Sequence, residues 1–217
     1  MIVDERIGSY IDSLHMDGPL LCEEIRREAE AEGVPIIRRA AESFLRTLIC
    51  MKKPRRILEI GSAVGYSAIL MSEWMPEGCE ITTIESYHKR VLQAGENIKK
   101  CGKQDVIHLI EGDALEILKG LTGEYDFIFM DAAKGQNAEF LSLCEPLCAP
   151  GCVIVTDNVL QEGNIVQSRY LIKQRDRTIH TRMRDYLYDI THRDDLVTTI
   201  IPAGDGMAVS VKSIPPG

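Results

Sequence analysis

From Arg55 to Thr156 the chain alternates short apolar runs with helical patterns, and this alternation restricts the fold more than any other feature. Ile57-Leu58-Glu59-Ile60 reads as a strand entering a glycine loop, followed by a helix from about Tyr66 to Trp74. Cys79 to Ile84 is the next strand, with a helix behind it through Lys100. Val106–Ile110, Phe127–Met130 and Cys152–Thr156 are three more strands, again with helical patterns between them. Strands separated by helices imply a parallel sheet covered on both faces, because a parallel pair needs a long crossover. Such sheets bind ligands beyond the carboxyl ends of their strands, so the strand ends are where function is sought.

The two ends of the chain depart from the alternation. A helical stripe at Ile7, Tyr10, Ile11 and Leu14 predicts a first helix over Ile2–Leu14, broken by Asp17-Gly18-Pro19. Leu20–Ala31 and about Ile36–Met51 give two more, and Pro54 closes this helical preface. At the other end a helical pattern from about Arg169 to Thr191 leads to Val197–Ile201, Gly204-Asp205-Gly206 and Met207–Val211. Asp-Gly between two apolar runs predicts a hairpin, so the sheet finishes with an antiparallel pair. With no repeat, low-complexity tract or linker, residues 1–217 are expected to form a single domain: a helical cover over 1–53 and an α/β core over 54–217.

Composition removes several function classes. With 217 residues, 45% hydrophobic and 27% charged, the chain is neither disordered nor collagen-like, and it is long enough to bury a core without staples. Asp4, Glu5 and Arg6 near the start, and no apolar run of about 20 residues, predict a cytoplasmic protein with no membrane partner. The seven cysteines form no disulfide framework. Cys144, Cys148 and Cys152 recur every four residues, but Pro146 and Pro150 interrupt any shared helix and no histidine lies close by. Buried, reduced thiols are the expectation there, rather than zinc. The net charge of −8 argues against general nucleic-acid binding, yet Arg169, Lys173, Arg175, Arg177, Arg182 and Arg184 oppose Asp176 alone within one short stretch. A basic segment on an acidic body is either a solvated helix face or a local polyanion contact.

Two constellations carry chemistry. Glu59-Ile60-Gly61-Ser62-Ala63-Val64-Gly65-Tyr66-Ser67 joins strand to helix. Counted from Gly61, Ala63 and Tyr66 fill the other glycine places of G-x-G-x-x-G, which argues against a bound pyrophosphate and a nicotinamide dehydrogenase. Glu59 at this strand end can meet an ammonium group, and Glu85 at the next can take both ribose hydroxyls. Asp113 after the third strand can accept from an adenine amino group. Each acid could also serve as a helix cap; three in order suit an adenosine that carries an amino acid. The second constellation is Asp131-Ala132-Ala133-Lys134 and Asp157-Asn158. Two carboxylates and an amide oxygen are hard donors, suited to magnesium or another divalent oxygen-loving cation. Lys134 lies close enough to act as a base. A non-catalytic adenosine-binding regulator has no use for these four residues together.

Together these segments resemble the metal-dependent class I O-methyltransferases that use S-adenosylmethionine, the group of catechol and caffeoyl-CoA O-methyltransferases. The resemblance runs from Gly33-Val34-Pro35-Ile36 to Gly204-Asp205-Gly206. Ile57–Ser67, Asp131–Gln136 and Thr156–Leu160 are most similar to the bacterial tRNA 5-hydroxyuridine methyltransferases, which act at the anticodon wobble base. It implies a Rossmann-like fold with a seven-stranded, mostly parallel sheet, helices on both faces and a homodimer. It places Glu59, Gly61, Ser67, Glu85, Asp113, Ala114 and Asp131 around S-adenosylmethionine, with Val34–Ile37, ending at Ile37, over its methionine end. It gives Asp131, Asp157 and Asn158 to magnesium and makes Lys134 the general base. The segment after Asn158 is long and basic, which favours tRNA as substrate with Arg169, Lys173, Arg175 and Arg177 on its phosphates. The other substrate expected is a small catechol-like phenol or a caffeoyl-CoA-type substrate. Both offer two neighbouring oxygens that chelate one cation.

Overall fold

The computed structural model describes residues 3–213. Three helices come first: α1 (Glu5–Ser13), α2 (Leu20–Ala31) and α3 (Arg39–Lys52). The core follows as β1 (Arg56–Ile60), α4 (Tyr66–Trp74), β2 (Glu80–Glu85), α5 (His88–Lys100), β3 (Ile107–Glu111), α6 (Ala114–Gly120) and β4 (Tyr125–Met130). It ends with α7 (Asn137–Cys144), β5 (Cys148–Thr156), α8 (Arg177–His192), β6 (Leu196–Ile201) and β7 (Met207–Lys212). The seven strands form one sheet in the order β3-β2-β1-β4-β5-β7-β6. β3 through β5 pair in parallel, and β7 lies antiparallel between β5 and β6. This is the Rossmann-like methyltransferase fold that the resemblance implies.

Side chains of one strand point alternately to the two faces, and this alternation builds two cores. Ile57, Ile81, Phe127, Phe129 and Val155 pack beneath α2, α3, α4 and α5. Leu58, Ile84, Ile128, Met130 and Ile154 pack beneath α6, α7 and α8. The central strands are apolar on both faces for this reason, as a sheet with two covered faces requires.

Three expectations need correction. The first helix is Glu5–Ser13, and its expected start at Ile2 lies outside the described residues. None of its residues is buried, so the stripe of Ile7, Tyr10, Ile11 and Leu14 faces out of this chain. The third helix starts at Arg39, because Val34–Arg38 is extended and Ile37 is drawn into the core. The helix expected from Arg169 begins only at Arg177. Upstream of it, Ile172 is buried and the Arg177 guanidinium donates to the Ile172 and Tyr170 carbonyls. A continuous helix would have carried Ile172 away from that pocket and tied up the same carbonyls in its own ladder.

Candidate active site

Hydrogen bonds between successive loops draw the strand ends into one rim. Gly112 N donates to Glu85 O, Gly61 N to Ile84 O, Asp131 N to Ile60 O and Asp157 N to Met130 O, at 2.9 to 3.0 Å. Strand order reverses between β1 and β4, and there the rim opens into a cleft of about 960 Å³. Such a switch point is where open α/β sheets take their ligands. Ile37, Gly61, Ser67, Glu85, Asp113, Ala114, Asp131, Lys134, Asp157 and Asn158 all line it.

One end of the cleft is a cradle of acids and backbone. Glu85 ends β2 with both carboxylate oxygens anchored, Oε2 by Ala63 N and Oε1 by Tyr87 N, each at 2.8 Å. A carboxylate oxygen accepts more than one hydrogen bond, so the anchored group can still receive hydroxyls. Glu59 is wholly buried beneath the rim. It accepts from Thr83, yet its Oε1 has no partner. Burial pushes its carboxyl up to about 7, while the Ser67 and Thr83 hydroxyls hold the shift back and the Asp131 and Glu85 charges add to it. An orphaned buried oxygen in an acidic surrounding fits a cationic ligand group. Asp113 Oδ1 caps α6 through Leu115 N at 2.9 Å and Glu116 N at 3.3 Å, so it does fill the ordinary capping role as well.

Ile37 is fixed over this end by a buried polar network. Arg26 Nη2 donates to Ile37 O at 2.9 Å and pairs with Glu42, and Arg26 Nε donates to Tyr66 Oη at 3.1 Å. Tyr66 Oη donates in turn to Glu42 Oε2 at 3.0 Å. The helical cover and α4 thereby hold the Val34–Ile37 segment at the cleft wall.

Gly61 is required by the fold itself. At φ +93° it sits so near β4 that a Cβ would lie 2.4 Å from Asp131 O. Its hydrogen at Cα is what lets the two halves of the rim meet.

The other end holds Asp131, Asp157, Asn158 and Lys134. Burial raises the pKa of both aspartates, most for Asp157, which also feels the Asp131 charge; Lys134 pulls the other way. Two buried carboxylates that oppose each other's ionisation, with an amide beside them, are a donor set that a hard divalent cation satisfies. Asn158 adopts φ +58°, and its N–H donates to Asp157 Oδ1 at 2.7 Å. Asp205 was read only as a turn residue, but its buried carboxylate belongs here. Oδ2 lies 3.8 Å from Lys134 Nζ, and Oδ1 accepts from Glu162 N. The signal was topological: β6 runs parallel to β5, so the loop after β6 reaches the same carboxyl edge. Gln161, also unremarked in the sequence, lines the cleft with its amide nitrogen buried and unpartnered.

The basic segment is only partly at this site. Lys173 lines the cleft, whereas Arg169, Arg175 and Arg177 do not. Arg169, Lys173 and Arg177 share no helix face, since 169–173 lies outside any helix. Arg182 and Arg184 spend their guanidinium groups on the carbonyls of Gly135, Ile165 and Gln167. Neither does the cysteine trio converge on one point. Among the described residues, the group of three metal-type ligands that does converge is His15, Glu23 and Glu42, and its acids are held by Arg39 and Arg26. No helix among the described residues is long and apolar enough to cross a membrane.

Comparison with known proteins places this cleft in a lineage. A catechol O-methyltransferase of Niastella koreensis is 32% identical over 169 residues, 75% of this chain and 76% of its own length. A catechol O-methyltransferase of Mycobacterium tuberculosis is 32% identical over 74% of each chain. The crystal structure of an O-methyltransferase from Bacillus cereus in complex with SAH superposes with a TM-score of 0.84 at 25% identity, covering 96% of this chain and 97% of that one. The family model described as O-methyltransferase matches residues 12–213, nearly the whole sequence, and the chain belongs to the O-methyltransferase family.

Proposed function

We propose that the protein transfers the methyl group of S-adenosylmethionine to one hydroxyl of a small catechol-type phenol. The observation that carries this reading is a single cleft lined by Glu85 and Asp113 at one end and by Asp131, Asp157, Asn158 and Lys134 at the other, with the orphaned acid Glu59 buried beneath its rim. The complex of the Bacillus cereus relative with SAH supports the donor, and the catechol O-methyltransferases support the acceptor. Glu59 takes the donor's ammonium, Glu85 the ribose hydroxyls and Asp113 the adenine amino group. Asp131, Asp157 and Asn158 would hold magnesium or a similar cation, which supplies charge to stabilise the ionised hydroxyl and orient both vicinal oxygens. Lys134 Nζ removes the hydroxyl proton. The oxygen then attacks the sulfonium methyl in line, forming C–O as C–S breaks, and most of the acceleration comes from positioning.

A second reading is a 5-hydroxyuridine in tRNA, whose hydroxyl stands beside a ring carbonyl. The observation favouring it is Lys173 at the cleft with Arg169 and Arg175 exposed on the same irregular segment. One experiment separates the two: methyl transfer with magnesium or EDTA to catechol and to tRNA from cells lacking the gene. Catechol turnover that EDTA abolishes is the expected result, unchanged when Arg169, Lys173 and Arg175 become alanine. If only tRNA is methylated, and the triple variant loses affinity with a flatter salt dependence, the acceptor is RNA. Full activity in EDTA overturns the cation assignment for either acceptor.

A further inference from the structure

We propose that Cys148 and Cys152 form a modification site, a thiol pair that a hydroperoxide oxidises to an intramolecular disulfide at the sheet edge opposite the cleft. In a regular strand, residues four apart stand about 13 Å from each other, too far to bridge. Here the strand is not regular. Tyr125 pairs with Cys148 and Phe127 with Val153, so β4 advances two residues while β5 advances five. The surplus folds out as a turn, with Pro150 exposed and Gly151 at φ +70°. Pro then Gly at the two central positions is the pattern of a type II turn, which draws Ala149 and Cys152 together. Cys148 and Cys152 thus flank one bulge instead of standing along a straight strand, and both are buried in the same core beneath α6, α7 and α8.

The local chemistry gives the two sulfurs different roles. Each sulfur acts on the other, so that the pKa of Cys148 is lowered and that of Cys152 raised, while the Cys148 thiol donates to Cys144 O at 3.3 Å and the Cys152 thiol to Val153 O at 3.8 Å. Lys212 adds to the lowering at Cys148 while its ammonium is fixed on Glu145 O at 2.9 Å. Lys52 is fixed on Gly151 O, also at 2.9 Å. Cys148 is 7% exposed and Cys152 is 0% exposed, so a small oxidant meets Cys148 first. Its thiolate attacks one oxygen of the hydroperoxide; the O–O bond breaks, an alcohol or water leaves, and Cys148 becomes a sulfenic acid. The Cys152 sulfur then attacks the Cys148 sulfur, the S–O bond breaks and water leaves. Two thiols and one hydroperoxide give one disulfide, one alcohol and one water.

The test uses the full chain and hydrogen peroxide. Free thiols counted after unfolding should fall from seven to five, with the loss of two hydrogens in mass mapped to residues 148 and 152. Cys148→Ser should keep all six remaining thiols at the same peroxide dose. Cys152→Ser should stall at a sulfenic acid on Cys148 that a 1,3-dione probe traps. Mapping of the parent protein alone decides the matter if either variant folds poorly. A bridge through Cys144, a bridge that survives Cys148→Ser, or oxidation confined to the exposed Cys50 overturns the proposal.

Discussion

Under the proposed function, the ionisation of Glu59 should govern donor binding. Its carboxyl is pushed up to about 7 by burial, and its Oε1 lacks a partner. A cationic ammonium pairs with the ionised form, so donor affinity should rise as pH increases from 6 to 8, where the raised acid loses its proton. Calorimetry at both pH values measures this, and Glu59→Gln should remove the pH dependence. The substitution should also weaken binding about tenfold to a hundredfold, the value of a hydrogen bond to a charged group. Lys134 is tested in the same spirit. Lys134→Met should lower kcat by about 10²–10⁴, the usual contribution of a positioned base, while donor affinity is kept. Asp205 touches Lys134 without reaching the donor end. Asp205→Asn should therefore reduce kcat and leave KM for S-adenosylmethionine near the parent value; equal losses in both would make its role structural.

At the scale of elements, the helices of the cover are held to one another by charge as well as by apolar contact. Glu23 on α2 takes two guanidinium bonds from Arg39 on α3, and these bonds pull its carboxyl from the ordinary 4.5 down to about 2. A lowered acid contributes stability that is complete above its unfolded value and lost as pH falls toward its folded one. The protein should lose on the order of 2–3 kcal/mol through this pair between about pH 4.5 and 2. Urea melts of the parent and Glu23→Gln across that window should converge at the acid end. α1 has the opposite character, since none of its residues is buried and its apolar stripe is about half or more exposed. The homodimer expected from the resemblance has a candidate face there, which light scattering of the parent and of Tyr10→Glu would measure. Elements were legible where period and breakers agreed, as in Leu20–Ala31 between Pro19 and Gly33. The stretch before Arg177 was not, because the helical spacing of its basic residues says nothing about Ile172 being pulled inward. A side chain that folds back on distant carbonyls, as Arg177 does, leaves no periodic trace.

Across the whole molecule the cleft exists because loops at neighbouring strand ends bond to one another. The acids at the strand ends could be read from the sequence, since each follows an apolar run directly. The meeting of β1 and β4 could not, because strand order is a property of the assembled sheet. Gly61 is the residue on which that meeting depends. A Cβ there would lie 2.4 Å from Asp131 O and 2.9 Å from Asp131 C, both backbone atoms that cannot swing aside. Its φ of +93° adds backbone strain for any other residue. Gly61→Ala should cost about 3 kcal/mol or more, and at roughly 2–4 °C per kcal/mol for a chain of this size Tm should fall by about 6–12 °C. Gly78 is the control, with φ +79° and nothing within 4 Å of an added Cβ. Gly78→Ala carries the strain without the collision and should cost about 1 kcal/mol. If the two variants melt together, the close approach of β1 to β4 is not what Gly61 protects. If Gly61→Ala melts far lower, it should also lose donor affinity and turnover together, because a displaced Asp131 would disturb both Glu59 and Asp157, each of which feels its charge.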